Sequence, residues 1–235
     1  MSLLTIVQSV TKRTGIPTPA TVLGSTDPQV LHLLALLEEE GKSLSKRGDW
    51  ESLTFEATHT TTAAEDQGAI TTIASNGYRQ IKNETMWDRT DKLPVPLINS
   101  TAWQRYKATV NATPRFRYRI RGGKLLISPT PPASHTLAFE YVTKNWILGA
   151  DLVTYKSAFT LDTDTLLLDE DLMTLGLRWR WKKEHGLEYA EDMRDYETQV
   201  MDLLAREGGK PTIHMDGRGD RTRPGIIVPE YSWNP

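Results

Sequence analysis

Four arginines alternate with other residues in PRFRYRIRGGKLLISP, residues 114–129: Arg115, Arg117, Arg119 and Arg121, with Phe116, Tyr118 and Ile120 between them. Guanidinium groups at every second position suit phosphate or carboxylate recognition. On a strand they share one face, because successive side chains point to opposite sides. The pair Gly122-Gly123 predicts a two-residue hairpin turn, since both positions accept positive φ. That turn sets Arg121 against Lys124, Ile120 against Leu125, Arg119 against Leu126 and Tyr118 against Ile127. Phe116, Tyr118, Ile120, Leu125 and Ile127 then face a core. Arg117, Arg119, Arg121 and Lys124 face either solvent or an anionic partner.

Other residue types offer less. The five histidines, 32, 59, 135, 185 and 214, fall at no metal-ligand spacing. The chain has no cysteine, which excludes disulfides, thiolate metal sites and a cysteine nucleophile. DTDTLLLDED starts like a calcium loop at Asp162 and Asp164, but lacks the glycine at loop position six and the closing glutamate. Asp169, Glu170 and Asp171 are better placed as helix-capping acids. Glu170 with a second carboxylate would make a glycosidase pair, yet the sequence places no partner. There is no GxSxG, P-loop or GxGxxG. Gly122-Gly123-Lys124 and Gly208-Gly209-Lys210 lack the strand–loop–helix frame of a phosphate loop. Arg218-Gly219-Asp220 has no secretion signal to give it meaning. No catalytic, cofactor or metal set is expected, and the chain is read as a non-enzyme.

The elements that carry these residues follow from periodicity. Ser2 caps a first helix with Leu3, Ile6, Val7 and Val10 inward, ended by Gly15 and Pro17. Asp27 caps a second, with Pro28 at its first position and Val30, Leu33, Leu34, Leu37 and Leu44 as its stripe. Gly41 within it costs about 1 kcal/mol relative to alanine. From about residue 52 to 160 the pattern turns to short strands, with EDQGAI and SNGY read as turns, NSTAWQRYKA as a short helix, and SPTPPASH as a loop. Asp169 then caps a helix with Leu172, Leu175, Gly176 and Trp179 inward. Trp181 lies about 200° around from Trp179, so the two are not expected to share one core. A last helix carries Leu187, Ala190, Met193, Val200, Leu203 and Leu204. The remainder is polar but ends in Ile226, Ile227, Val228, Tyr231 and Trp233, a composition suited to docking.

The expected fold class is α+β: a helical bundle assembled from N- and C-terminal helices, with an inserted antiparallel β domain and an extended C-terminal tail. The corresponding domains are 1–50 plus 165–208, 51–164, and 209–235. With 235 residues, 38% of them apolar, the chain can bury one large or two modest cores. A net charge of −2 excludes a polycation, so any contact with nucleic acid would be a local patch. No signal peptide and no membrane span is expected.

MSLLTIVQSVTKRTGIPTPATVLGSTDPQVLHLLALLEEEGKSLSKRGDW, AAEDQGAITTIA, YRIRGGKLLISPTPP, FEYVTKNW and DTDTLLLDEDLMTLGLRWRWKKEHGLEYAEDM resemble, in that order, the head-to-tail adaptors of bacteriophages, the tail tubular protein A-like or head completion family. The likeness covers about residues 1–210. It implies a structural virion protein at the head-tail junction, assembled in the host cytoplasm. Such a subunit belongs to a ring, commonly of twelve copies, beneath the portal protein. The ring joins the capsid to a downstream tail or nozzle protein and continues the DNA channel, with only transient contact to the genome. It implies no cofactor and no membrane partner. Under that resemblance Arg117, Arg119, Arg121 and Lys124 are expected at a subunit or tail-protein interface. Asp162, Asp164, Asp169 and Asp171 are the complementary acids, and Trp181 is a further contact. Ile226, Ile227, Val228, Tyr231 and Trp233 are expected to dock on the portal or a neighbour. The alternatives are a tail terminator or stopper ring, and a nucleic-acid-binding module that uses the arginine hairpin.

Overall fold

The computed structural model describes residues 2–108 and 115–207. Their fold is α+β. In chain order the helices are α1 (Leu3–Thr14), α2 (Pro28–Leu44), α3 (Ile70–Ile73), α4 (Ser100–Ala108), α5 (Glu170–Glu184) and α6 (Ala190–Glu207). The strands are β1 (Thr54–Thr60), β2 (Asp66–Ala69), β3 (Tyr78–Ile81), β4 (Trp87–Asp88), β5 (Leu93–Pro94), β6 (Arg117–Arg121), β7 (Lys124–Ser128), β8 (Thr136–Thr143), β9 (Ile147–Leu148), β10 (Tyr155–Lys156) and β11 (Thr165–Leu166).

Two compact units emerge. The first comprises the chain up to Phe55, Asn76–Gln80, and the described residues from Val142 onwards; the second comprises Glu56–Ser75 and Ile81–Tyr141.

In the first unit, local sequence sets the helix ends. The Ser2 hydroxyl accepts from the Thr5 amide, and Gly15 closes α1 at φ 75°. Asp27 accepts from the Gln29 amide at 2.9 Å, and Pro28 supplies the first turn of α2. Helix α5 packs against α1, α2 and α6. Leu3, Ile6, Val7, Val10, Leu33, Leu37, Leu172, Met173 and Leu177 form one apolar core there.

Because neighbours surround α5 on several sides, Trp179 and Trp181 are both buried, 8% and 9% exposed, and belong to the same core. The expectation that the two do not share one core is therefore corrected. The Trp181 ring stacks on His185, with centroids 4.3 Å apart. Gly41 is no mere tolerated defect either: the Trp146 ring lies where a Cβ would stand. Trp146, Ile147 and Phe159 join the helical core, so residues 142–164 group with the helices and not with the insert.

On α6 the expected stripe holds at Val200, Leu203 and Leu204 and fails towards the N-terminal end. Asp192, Tyr196 and Val200 are buried, while Met193 is 38% exposed and Leu187, which precedes α6, is 48% exposed. Polar partners set that difference: Asp192 pairs with Arg178 and Lys182 of the neighbouring helix, and the Tyr196 hydroxyl donates to Glu40.

In the second unit, β6 and β7 form an antiparallel hairpin with the expected register: Arg121↔Lys124, Ile120↔Leu125, Arg119↔Leu126 and Tyr118↔Ile127. Gly122 and Gly123 turn it at φ 59° and 72°. EDQGAI is not a turn. Its Asp66–Ala69 is strand β2, paired with β7 through a register shift, and Ile70 begins α3. Around β8 the other sheet takes β4 and β1, with β5 beyond β4. Phe116, Tyr118, Leu125, Ile127, Leu137, Phe139 and Tyr141 are buried here.

Candidate functional site

The arginine face of the hairpin looks onto α4. Asn99 caps that helix, its side-chain oxygen accepting from the Ala102 amide at 2.8 Å. Arg119 donates to the Ser100 hydroxyl at 2.8 Å. The Arg117 guanidinium stands over the Tyr106 ring, 5.6 Å from its centroid. Both arginines are half-buried, and Leu126 on the same face is buried. Lys124 pairs with Asp66 at 2.6 Å, and that ammonium, followed by the Gly68 amide, holds the Asp66 carboxyl below its usual range. Arg121 is exposed. A continuous cationic ladder is thus reduced by local partners: two of its members hold the hairpin to α4.

Three of the acids expected to oppose that ladder, Asp162, Asp164 and Asp169, hold partners within their own unit. Asp162 accepts from the Val22 and Leu23 amides, each at 2.9 Å. Asp164 is fully buried. It accepts from the amides of Ala150, Thr160 and Leu161 at 3.1, 2.9 and 3.0 Å, and from the Lys156 ammonium at 2.9 Å. Burial resists ionisation of Asp164, but the Thr160 amide, Lys156, and the Leu161 and Ala150 amides outweigh it and hold its pKa at about 2. Asp164 is thus enclosed within its own unit, while Asp162 is half-buried. Their spacing builds a loop platform: the Asp164 and Asp162 carbonyls also accept from the Leu3 and Leu4 amides at the start of α1. Asp169 caps α5, accepting from the Leu172 amide at 2.9 Å. Asp171, in the first turn of α5, is exposed. Ile226, Ile227, Val228, Tyr231 and Trp233 lie outside the described residues, as do the Arg218-Gly219-Asp220 triplet and His214.

The same Asp164 platform presents apolar side chains outward. Between β9 and β10 the chain folds over Asp151, whose carboxylate accepts from the Val153 and Thr154 amides at 3.1 and 3.0 Å and from the Thr154 hydroxyl. The Thr154 hydroxyl and amide, then the Val153 amide, lower the Asp151 pKa to about 2. Leu152 takes φ 58°, uncommon for a leucine. Leu152 and Val153 are 68% and 73% exposed, and Leu161, whose amide binds Asp164, is 51% exposed. Sequence reasoning missed this loop, because two aliphatic residues after a glycine and an aspartate read the same whether they face in or out.

The second unit holds a shallow groove of about 580 Å³, lined by Trp87, Phe139, Glu56, Glu84, Glu140 and Lys92 among others. Glu84 and Lys92 occupy the left-handed region at φ 63° and 57°. Arg89 pairs with Glu56. Close to the groove lies a cluster that no sequence spacing announced. His135 Nδ1 sits 2.8 Å from Asp88 Oδ2 and 3.7 Å from Asp91 Oδ2. The Asp88 hydrogen bond, against a smaller desolvation effect, raises the His135 pKa above its ordinary value. Asp88 and Asp91 are three apart in a turn, but their histidine arrives only through the pairing of β4 with β8, which joins Asp88 to Leu137.

Among the described residues no helix is long and apolar enough to cross a membrane. No family model matches the chain, and no curated protein matches it.

Proposed function

We propose that this protein is a structural ring subunit, a head-to-tail adaptor of a bacteriophage virion, acting without catalysis. In this reading both ends of the chain build one helical platform, and the β-rich insert and residues 209–235 are the parts that meet neighbours. The portal protein is met by the arm that carries Ile226, Ile227, Val228, Tyr231 and Trp233, and a downstream tail protein lies on the other side. The ring, of about twelve copies on the family resemblance, continues the DNA channel.

One observation carries the reading. Leu152, Val153 and Leu161 stand in solvent on a loop fixed by Asp151 and Asp164. Burying each such side chain is worth roughly 1.5–3 kcal/mol. A loop already held by hydrogen bonds loses little further freedom on docking. A head-to-tail ring needs two different complementary patches on every subunit, and a rigid apolar tip is well suited to be one of them. The arginine hairpin gives weaker support to the nucleic-acid reading, because Arg117 and Arg119 already engage α4.

The testing experiment is native mass measurement of the full chain, alone and with purified portal rings. A discrete complex with many copies of the chain per portal ring is expected. A chain that stays monomeric in both mixtures contradicts the proposal.

A further inference from the structure

The geometry points to a divalent transition-metal site formed by Asp88, Asp91 and His135, suited to Zn²⁺. One donor atom from each of the three side chains lies within 4.8 Å of the other two. Two carboxylate oxygens with one imidazole nitrogen make a set that Zn²⁺ and its first-row neighbours accept. Ca²⁺ and Mg²⁺ favour shells made of oxygen alone.

How Asp88 is held is a separate observation. Its side chain is only 1% exposed. Its Oδ1 accepts from the amides of Thr90 and Asp91 at 2.8 and 3.2 Å, leaving Oδ2 to the cluster. Backbone donors on the far oxygen are the contacts that orient metal-binding carboxylates. The Asp91 side chain is 44% exposed, so the cluster opens to water, which gives an ion an entry path and completes its shell. With a neutral imidazole the three groups carry two negative charges. The adjacent Arg89 does not offset them, since it pairs with Glu56. An ion here would tie the turn after β4 to the residue that precedes β8. This inference is independent of the ring assembly.

The test is calorimetric titration of the full, tag-free chain with ZnCl₂, with Co²⁺ as a visible-absorption probe. Saturation at about one ion per chain, a raised melting temperature and tetrahedral Co²⁺ bands are expected. Asp91→Asn keeps the turn amide and should weaken Zn²⁺ binding roughly tenfold or more, while the metal-free melt shifts only by the small loss of the His135–Asp91 pair. His32→Gln, which removes the separate His32–Glu184 pair, should leave binding intact. Absence of saturable binding, equal affinity in Asp91→Asn, or loss of binding in His32→Gln instead would overturn the assignment.

Discussion

Gly176 of α5 lies directly against the Glu40 side chain of α2: a Cβ at Gly176 would stand 2.6 Å from the Glu40 carboxylate carbon. Glycine here sets how closely the two helices approach, and the approach in turn buries Glu40, which is 0% exposed. Gly176→Ala gains about 1 kcal/mol of helix propensity. It must also displace a buried carboxylate that accepts from Arg180 and Tyr196, and overpacking costs about 1–3 kcal/mol. Net destabilisation in urea melts is expected; a more stable Gly176→Ala variant would show that the helices separate freely.

Tyr196 tests the same network from the other side. Burial first, then the Glu40 charge, pushes the phenol pKa up, so the hydroxyl remains a donor throughout the neutral range. Tyr196→Phe removes that donor and leaves the carboxylate under-satisfied. A loss of about 1–3 kcal/mol is expected from equilibrium unfolding. No loss would mean that Arg180 alone satisfies Glu40.

Asp164 gives a prediction in pH. Its folded pKa of about 2 lies below the ordinary aspartate value of 3.8, so its contribution to stability is present above the unfolded value and fades as pH falls through the folded one. That contribution is about 2 kcal/mol. The stability gap between the parent and Asp164→Asn should be constant near neutrality and shrink between those two pKa values. A gap that does not change with acidity would contradict the role assigned to the Asp164 hub.

The hairpin arginines give a prediction in salt. Arg119→Ala should cost about 0.5–1.5 kcal/mol of stability through the lost Ser100 hydrogen bond. It should leave weak, strongly salt-dependent duplex binding almost unchanged. A large drop in DNA affinity, with a shallower salt slope, would favour the nucleic-acid reading.

Local chemistry made much of the fold legible. Ser2, Asp27, Asn99 and Asp169 cap helices as their types require, and Gly122-Gly123 set the hairpin register residue by residue. What escaped was decided by distant partners. Met193 looked apolar enough to face inward, but Asp192 and Tyr196 take that face because α2 and α5 offer them charges. Trp181 looked surplus until α5 proved to have neighbours on several sides. Asp162 and Asp164 looked like surface acids because backbone amides, their real partners, leave no mark in a sequence. His135 met Asp88 only through strand pairing across 47 positions.

The central claim is that the rigid aliphatic tip at Leu152 and Val153 is a subunit contact in a ring. Its most direct measurement is the sedimentation mass, in the presence of portal rings, of the parent chain and of the Leu152→Asp/Val153→Asp double variant. The parent is expected to form a many-copy assembly and the variant, with an unchanged melting temperature, to remain unassembled. A variant that assembles as the parent does, or a parent that never assembles, would contradict the account.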